Sequence, residues 1–97
     1  MILHIVSPSP FTDTSLQRSF ELAGPGDAIL LIGDATLALS NPALCLSERS
    51  EGPALFVLEE DRQARGLSLP DSPPVTPVSY DGFVELATRF DKTLSWF

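Results

Sequence analysis

Ala28-Ile29-Leu30-Leu31-Ile32 is apolar at every position. A strand with one wet face alternates apolar and polar residues, whereas an unbroken short run between turn signals marks a strand covered on both faces. The turn signals here are Gly24-Pro25-Gly26 before the run and Gly33-Asp34 after it. Two further runs resemble it. Leu3 to Val6 is halted by Ser7-Pro8-Ser9-Pro10, and Ala54 to Leu58 leads into Glu59-Glu60-Asp61. Buried parallel strands need crossover connections, and the segments between the runs carry helical patterns. The first strand is followed by a helix with Leu16, Phe20 and Ala23 at helical spacing, and Thr14 with Gln17 fits a capping box. The expected fold is therefore α/β, a three-layer α/β/α domain with a small, mainly parallel sheet, and residues 1–97 form a single domain.

The remaining elements follow from the same signals. Ala35 to Leu39 starts a second helix, Asn41-Pro42 breaks it, and Ala43 to Ser50 is read as a short helical piece. Glu59 to Arg65 is a short helix closed by Gly66, and Leu67 to Pro74 is irregular. Val75 to Ser79 is a fourth strand, placed at an edge because Pro77 withholds a backbone donor. A last helix is expected from an Asp81 N-cap, with a stripe of Phe83, Leu86, Ala87 and Phe90 running on to Leu94 and Phe97. Strand order is not encoded in this pattern.

Composition narrows the function. Thirteen acidic residues oppose six basic ones, giving a formal charge of −7. The arginines are scattered, so the chain offers no concentrated positive face for a phosphate backbone. Any role with RNA needs a partner to supply that charge. No apolar run approaches the roughly 20 residues of a membrane span. Met1-Ile2-Leu3-His4-Ile5-Val6 lacks the basic start and small-residue cleavage site of a signal peptide, which leads us to expect a cytoplasmic protein with no membrane partner. A single cysteine excludes an internal disulfide and a protein-only thiolate zinc site.

Candidate functional groups are few. In open α/β folds ligands bind beyond the carboxyl ends of the strands. Those ends carry Ser7, Gly33-Asp34 and Glu59-Glu60-Asp61, acids that repel phosphate, and there is no GxGxxG or GxxxxGK[ST] sequence. No nucleotide, other cofactor or metal is expected, and the acids read as helix-start groups. His4 lies out of phase with Leu3 and Ile5, without a second histidine or a nearby cysteine, and reads as a packed or interface residue. Cys45 is the only candidate thiol nucleophile, but leucines flank it and Arg49 is the only nearby cation. Ser7, Ser9 and Ser19 have no identifiable histidine–acid partners for a triad. Trp96-Phe97, an aromatic pair, either folds back on the core or forms the centre of an interface. Exposed apolar surface of that kind predicts an oligomer.

Several short motifs, taken in order, resemble the DsrH/TusB family of the DsrE-like superfamily. They are Leu3-His4 with Ser9-Pro10-Phe11, Leu30-Leu31 with Asp34, Val57-Leu58 with Asp61 and Ala64-Arg65-Gly66, and Tyr80 with Phe83-Val84, Leu86 and Trp96. The resemblance spans the chain. It implies a DsrE-like fold and a sulfur-relay subunit that joins two related chains, TusC-like and TusD-like, in a heterohexamer with two copies of each. In the TusB branch such a complex passes persulfide sulfur toward 2-thiolation of the tRNA wobble uridine, with tRNA met only through the complex. In the DsrH branch it serves sulfur oxidation. The resemblance places the relay cysteine on the TusD-like partner, and Ser19 where DsrH-type chains carry a cysteine. A serine cannot form a persulfide, so the TusB-like branch and a non-catalytic role are expected. His4, Phe11, Trp96 and Phe97 are the interface candidates. The alternatives are a DsrH-type subunit, a chain carrying persulfide on Cys45, and a self-sufficient small-molecule-binding domain.

Overall fold

The computed structural model describes residues 1–40, 53–70 and 74–96. Five strands form one sheet: β1 (Ile2–Val6), β2 (Ala28–Leu31), β3 (Ala54–Leu58), β4 (Thr76–Val78) and β5 (Lys92–Trp96). The order across the sheet is β4-β3-β2-β1-β5, and every adjacent pair is parallel. From β1 the chain steps outward to β4, then crosses back to place β5 on the far side of β1. Right-handed crossovers require the returning connection to lie on the opposite face from the outgoing ones.

The packing agrees. Helix α1 (Ser15–Leu22) and the 3-10 segment Gly33–Ser40 bring Leu16, Phe20, Ala35, Ala38 and Leu39 against Val6, Ile29, Leu31, Leu55 and Val57. Helix α3 (Tyr80–Arg89) covers the other face, where its buried Leu86 meets Leu3, Ile5, Ala28 and Leu30. All four residues of β2 are buried, as its unbroken apolar run requires. The three-layer α/β/α arrangement is thus present, with a fully parallel sheet in the described residues. Helix α2 (Glu59–Ala64) follows β3 directly and buries no residue.

Several sequence readings need correction. Thr14 occupies the N-cap of α1 but its side chain accepts no capping bond; Asp13 does the work instead, taking the backbone N–H and the hydroxyl of Ser15. The N-cap of helix α3 lies two residues earlier than expected. Its cap is Ser79, whose hydroxyl accepts the Gly82 N–H at 3.2 Å, and Asp81 lies in the first turn. The residues from Ala35 to Leu39 adopt 3-10 rather than α geometry. The largest error concerns the chain end. The helical stripe does not reach Leu94, because α3 stops at Arg89, Phe90 turns extended, and Lys92–Trp96 forms a strand. Leu94 fits either period, and the tertiary demand decides: the outer edge of β1 would otherwise leave a row of backbone groups unpaired. The expected edge strand near Pro77 is found as β4. The short helical piece at Ala43 to Ser50 lies outside the described residues, as do Cys45 and Phe97. Among the described residues no helix is long and apolar enough to cross a membrane.

Candidate functional site

The carboxyl ends of the strands gather most of the motif residues. β1 ends at Val6, and the following loop is tied down on both sides: the Ser7 N–H donates to the Trp96 carbonyl at 3.1 Å, and the Ser7 carbonyl accepts the Ala35 N–H at 2.9 Å. Gly33 makes the turn after β2 at φ +53°, a conformation that side chains with a Cβ rarely adopt. A Cβ there would also stand 3.3 Å from the Ser7 hydroxyl. The Gly33 N–H donates to Asp61 Oδ2 at 2.7 Å, and Arg65 reaches Asp34 at 3.0 Å and Asp61 at 4.0 Å. Asp34, Asp61 and Arg65 are therefore partners of one another across two loops.

Helix α2 is tied in the same way. Arg62 grips both oxygens of Glu59 and donates to the Leu67 carbonyl, closing the helix over its own C-terminus. The Arg62 guanidinium holds the Glu59 carboxyl below its ordinary range. Glu60 accepts the Tyr80 N–H at 3.3 Å, linking α2 to the start of α3. The Ser7, Gly33, Ala35 and Tyr80 amides at this end are thus engaged by the chain's own acids and carbonyls. A phosphate would have to displace a carboxylate to reach the Gly33 amide. Among the described residues no group of three or more His, Cys, Asp or Glu side chains is arranged to hold a metal ion.

Ser19 is fully buried in α1, and its hydroxyl donates to the Leu16 carbonyl at 2.7 Å. The place where the resemblance puts a cysteine in DsrH-type chains therefore faces the core in this chain. Restoring the thiol should not restore reactivity. Ser19→Cys is expected to give a protein whose added thiol is protected from a thiol reagent in the folded state and titrates only on unfolding. Rapid native-state modification of two thiols would contradict this.

The interface candidates fall into different environments. Phe11 is 53% exposed in the loop after β1. Trp96 is half-buried at the end of β5, packed against the core cluster of the α1 face. His4 has no accessible surface. It projects to the α1 face, as its phase against Leu3 and Ile5 indicated, and its Nδ1 accepts the Trp96 indole N–H at 3.2 Å. On the other side of the ring, Nε2 stands 3.8 Å from Asp27 Oδ2. This His4–Trp96–Asp27 arrangement could not be found from sequence. Only the odd phase of His4 signalled it, since its two partners lie far away along the chain.

Asp27 closes the amino end of the sheet. It accepts the Ile2 N–H at 2.8 Å and the Gly24 N–H at 3.0 Å. The Gly24 and Ile2 amides, with lesser help from His4 and the N-terminal ammonium, depress its carboxyl below the ordinary 3.8. A depressed folded-state value means that the stabilisation is complete above 3.8 and fades as the pH falls through the folded value. Acid unfolding below that point should accordingly be shallower in Asp27→Asn than in the parent, measured by circular dichroism. Parallel acid limbs would contradict it. Beside Asp27 a cavity of about 480 Å³ opens between Met1, Ala54, Phe56, Leu86, Arg89 and Phe90. It lies at the amino ends of the strands, away from the Asp34, Asp61 and Arg65 ties.

Comparison with known proteins supports the resemblance on independent grounds. The model of a family described as DsrH like protein matches residues 8–93. Protein TusB of Erwinia tasmaniensis is 35% identical over 98% of this chain and 100% of its own length. Protein TusB of Yersinia pestis and Protein TusB of Yersinia pseudotuberculosis are each 38% identical with the same coverage. The matched span runs from the Ser7–Phe11 loop through the Gly33–Asp61–Arg65 ties to the start of β5. With a parallel α/β fold and a family match across nearly all of its length, the chain belongs to the DsrH family.

Proposed function

We propose that the chain is a non-catalytic subunit of a sulfur-relay complex that supports 2-thiolation of the tRNA wobble uridine. The observation that carries this reading is the end-to-end similarity to proteins named TusB, at 35% and 38% identity. The structure is compatible in a specific way. Ser19 is buried, and Arg65 engages both Asp34 and Asp61. On this reading the chemistry belongs to partners. Those partners are two related subunits, TusC-like and TusD-like, in a heterohexamer, and tRNA is reached only through them because a chain of charge −7 repels it. The expected location is the cytoplasm.

Co-expression with a TusC-like and a TusD-like chain from the same organism tests the reading. The three chains should co-purify and sediment as one species with two copies of each. A chain that remains monomeric in the presence of both partners would overturn it.

A further inference from the structure

His4 is the only histidine and Trp96 the only tryptophan of the chain, and the fold brings them into contact across 92 positions. The indole N–H is a donor with no acceptor capacity, so the nitrogen it faces must be unprotonated. With Nδ1 accepting from Trp96, the neutral ring carries its proton on Nε2. That atom is buried and has no hydrogen-bond partner among the described residues. It points toward a carboxylate 3.8 Å away, too far for a hydrogen bond to a neutral ring. Each end of the imidazole therefore prefers a different protonation state.

We propose that His4 is a proton-operated latch on the C-terminal strand. In the neutral state Nδ1 accepts the indole N–H and holds the end of β5 against β1. A proton taken up from solvent at Nδ1 forms an N–H bond there and removes the acceptor. Two donors then face each other, the Trp96 hydrogen bond breaks, and the imidazolium draws its Nε2–H toward Asp27. The charged groups around the ring make Asp27 the natural counter-charge. β2 contributes no ionisable side chain from Ala28 to Leu31, and α1 turns Leu16, Ser19 and Phe20 inward with Arg18 and Glu21 exposed. Lys92 is exposed at the opposite end of β5, and the N-terminal ammonium is bonded to Asp91 at 2.9 Å. The Trp96 carbonyl also accepts the Ser7 N–H, so opening the latch loosens the loop that carries Ser9, Pro10 and Phe11.

Single imidazole and indole signals allow an unambiguous test by nuclear magnetic resonance on the full chain. Between about pH 8 and pH 5, where histidine changes charge, the Trp96 indole N–H resonance and the His4 ring resonances should move with one midpoint. Solvent exchange of that N–H should rise at least about tenfold below the midpoint, as expected for a lost hydrogen bond. His4→Gln supplies a carbonyl acceptor that does not titrate, and its indole signal should stay constant over the same range. The proposal is overturned by an indole signal that ignores the imidazole titration, by an imidazole that does not titrate in that range, or by the same step persisting in His4→Gln. If His4→Gln does not fold, the two midpoints in the parent chain decide.

Discussion

Trp96→Ala should cost about 3 kcal/mol of unfolding free energy, within the usual range for deleting a large packed aromatic side chain. Three losses combine. The indole packs against the core cluster of the α1 face, so its removal leaves unfilled space there. Its N–H is the donor to His4 Nδ1, and a fully buried imidazole then has no hydrogen-bond partner at either nitrogen among the described residues. The end of β5, an edge strand, also loses its anchor to β1. Trp96→Phe separates the contributions. It keeps a ring and removes the donor, and should cost about 1–2 kcal/mol. Truncation after Thr93 goes further. It removes Leu94, Ser95 and Trp96 from the pairing with β1, together with the acceptor for the Ser7 N–H. Small domains hold only about 5–15 kcal/mol, so the truncated chain should lose its cooperative unfolding transition. Urea denaturation measures all three. Phe and Ala variants as stable as the parent would show the chain end to be dispensable.

The second large effect belongs to the other face of the sheet. Leu30→Ala should destabilise the fold by about 3 kcal/mol, from lost transfer energy and the cavity left behind. Leu30 has no accessible surface and packs with Leu3, Ile5, Ala28 and Leu86. Helix α3 supplies the cover on this face, with Leu86 buried and Phe83, Ala87 and Phe90 packed beside it. Val84→Ala, on the outer side of the same helix at 64% exposure, should change stability by less than about 0.5 kcal/mol. Equal effects from the two substitutions in the same denaturation assay would contradict the placement of α3.

How far the sequence discloses this molecule depends on the range of the interaction concerned. β1, β2 and β3 were legible because continuous apolar runs are a local consequence of burial on both faces. Pro77 likewise marked β4 as an edge through a purely local property, its missing donor. β5 was not legible. Leu94 suits a helical stripe as well as a strand, and only the unpaired edge of β1 selects between them. The caps show the same ambiguity at short range, since Thr14 and Asp81 are good capping types that lie close to Asp13 and Ser79, the residues that do the capping. At the carboxyl end, the Asp61 bond to Gly33 spans 28 positions and the Arg65 bond to Asp34 spans 31. Motif spacing singled out these residues without revealing that they bind one another. His4 was singled out by its phase, and its tie to Trp96 becomes visible only once β5 lies beside β1.

In the proposed function this chain supports sulfur transfer without carrying sulfur. That reading is tested most directly by Cys45→Ser, which removes the chain's only thiol. The variant is assembled with the TusC-like and TusD-like partners proposed above, and transfer of persulfide sulfur is measured at equal amounts of intact complex. Equal loading matters, so that a change in assembly is not read as a change in transfer. Transfer close to that of the parent complex is expected, with its loss when the relay cysteine proposed for the TusD-like partner is replaced. Collapse of transfer in the Cys45→Ser complex with assembly intact would make Cys45 a relay thiol and contradict the account.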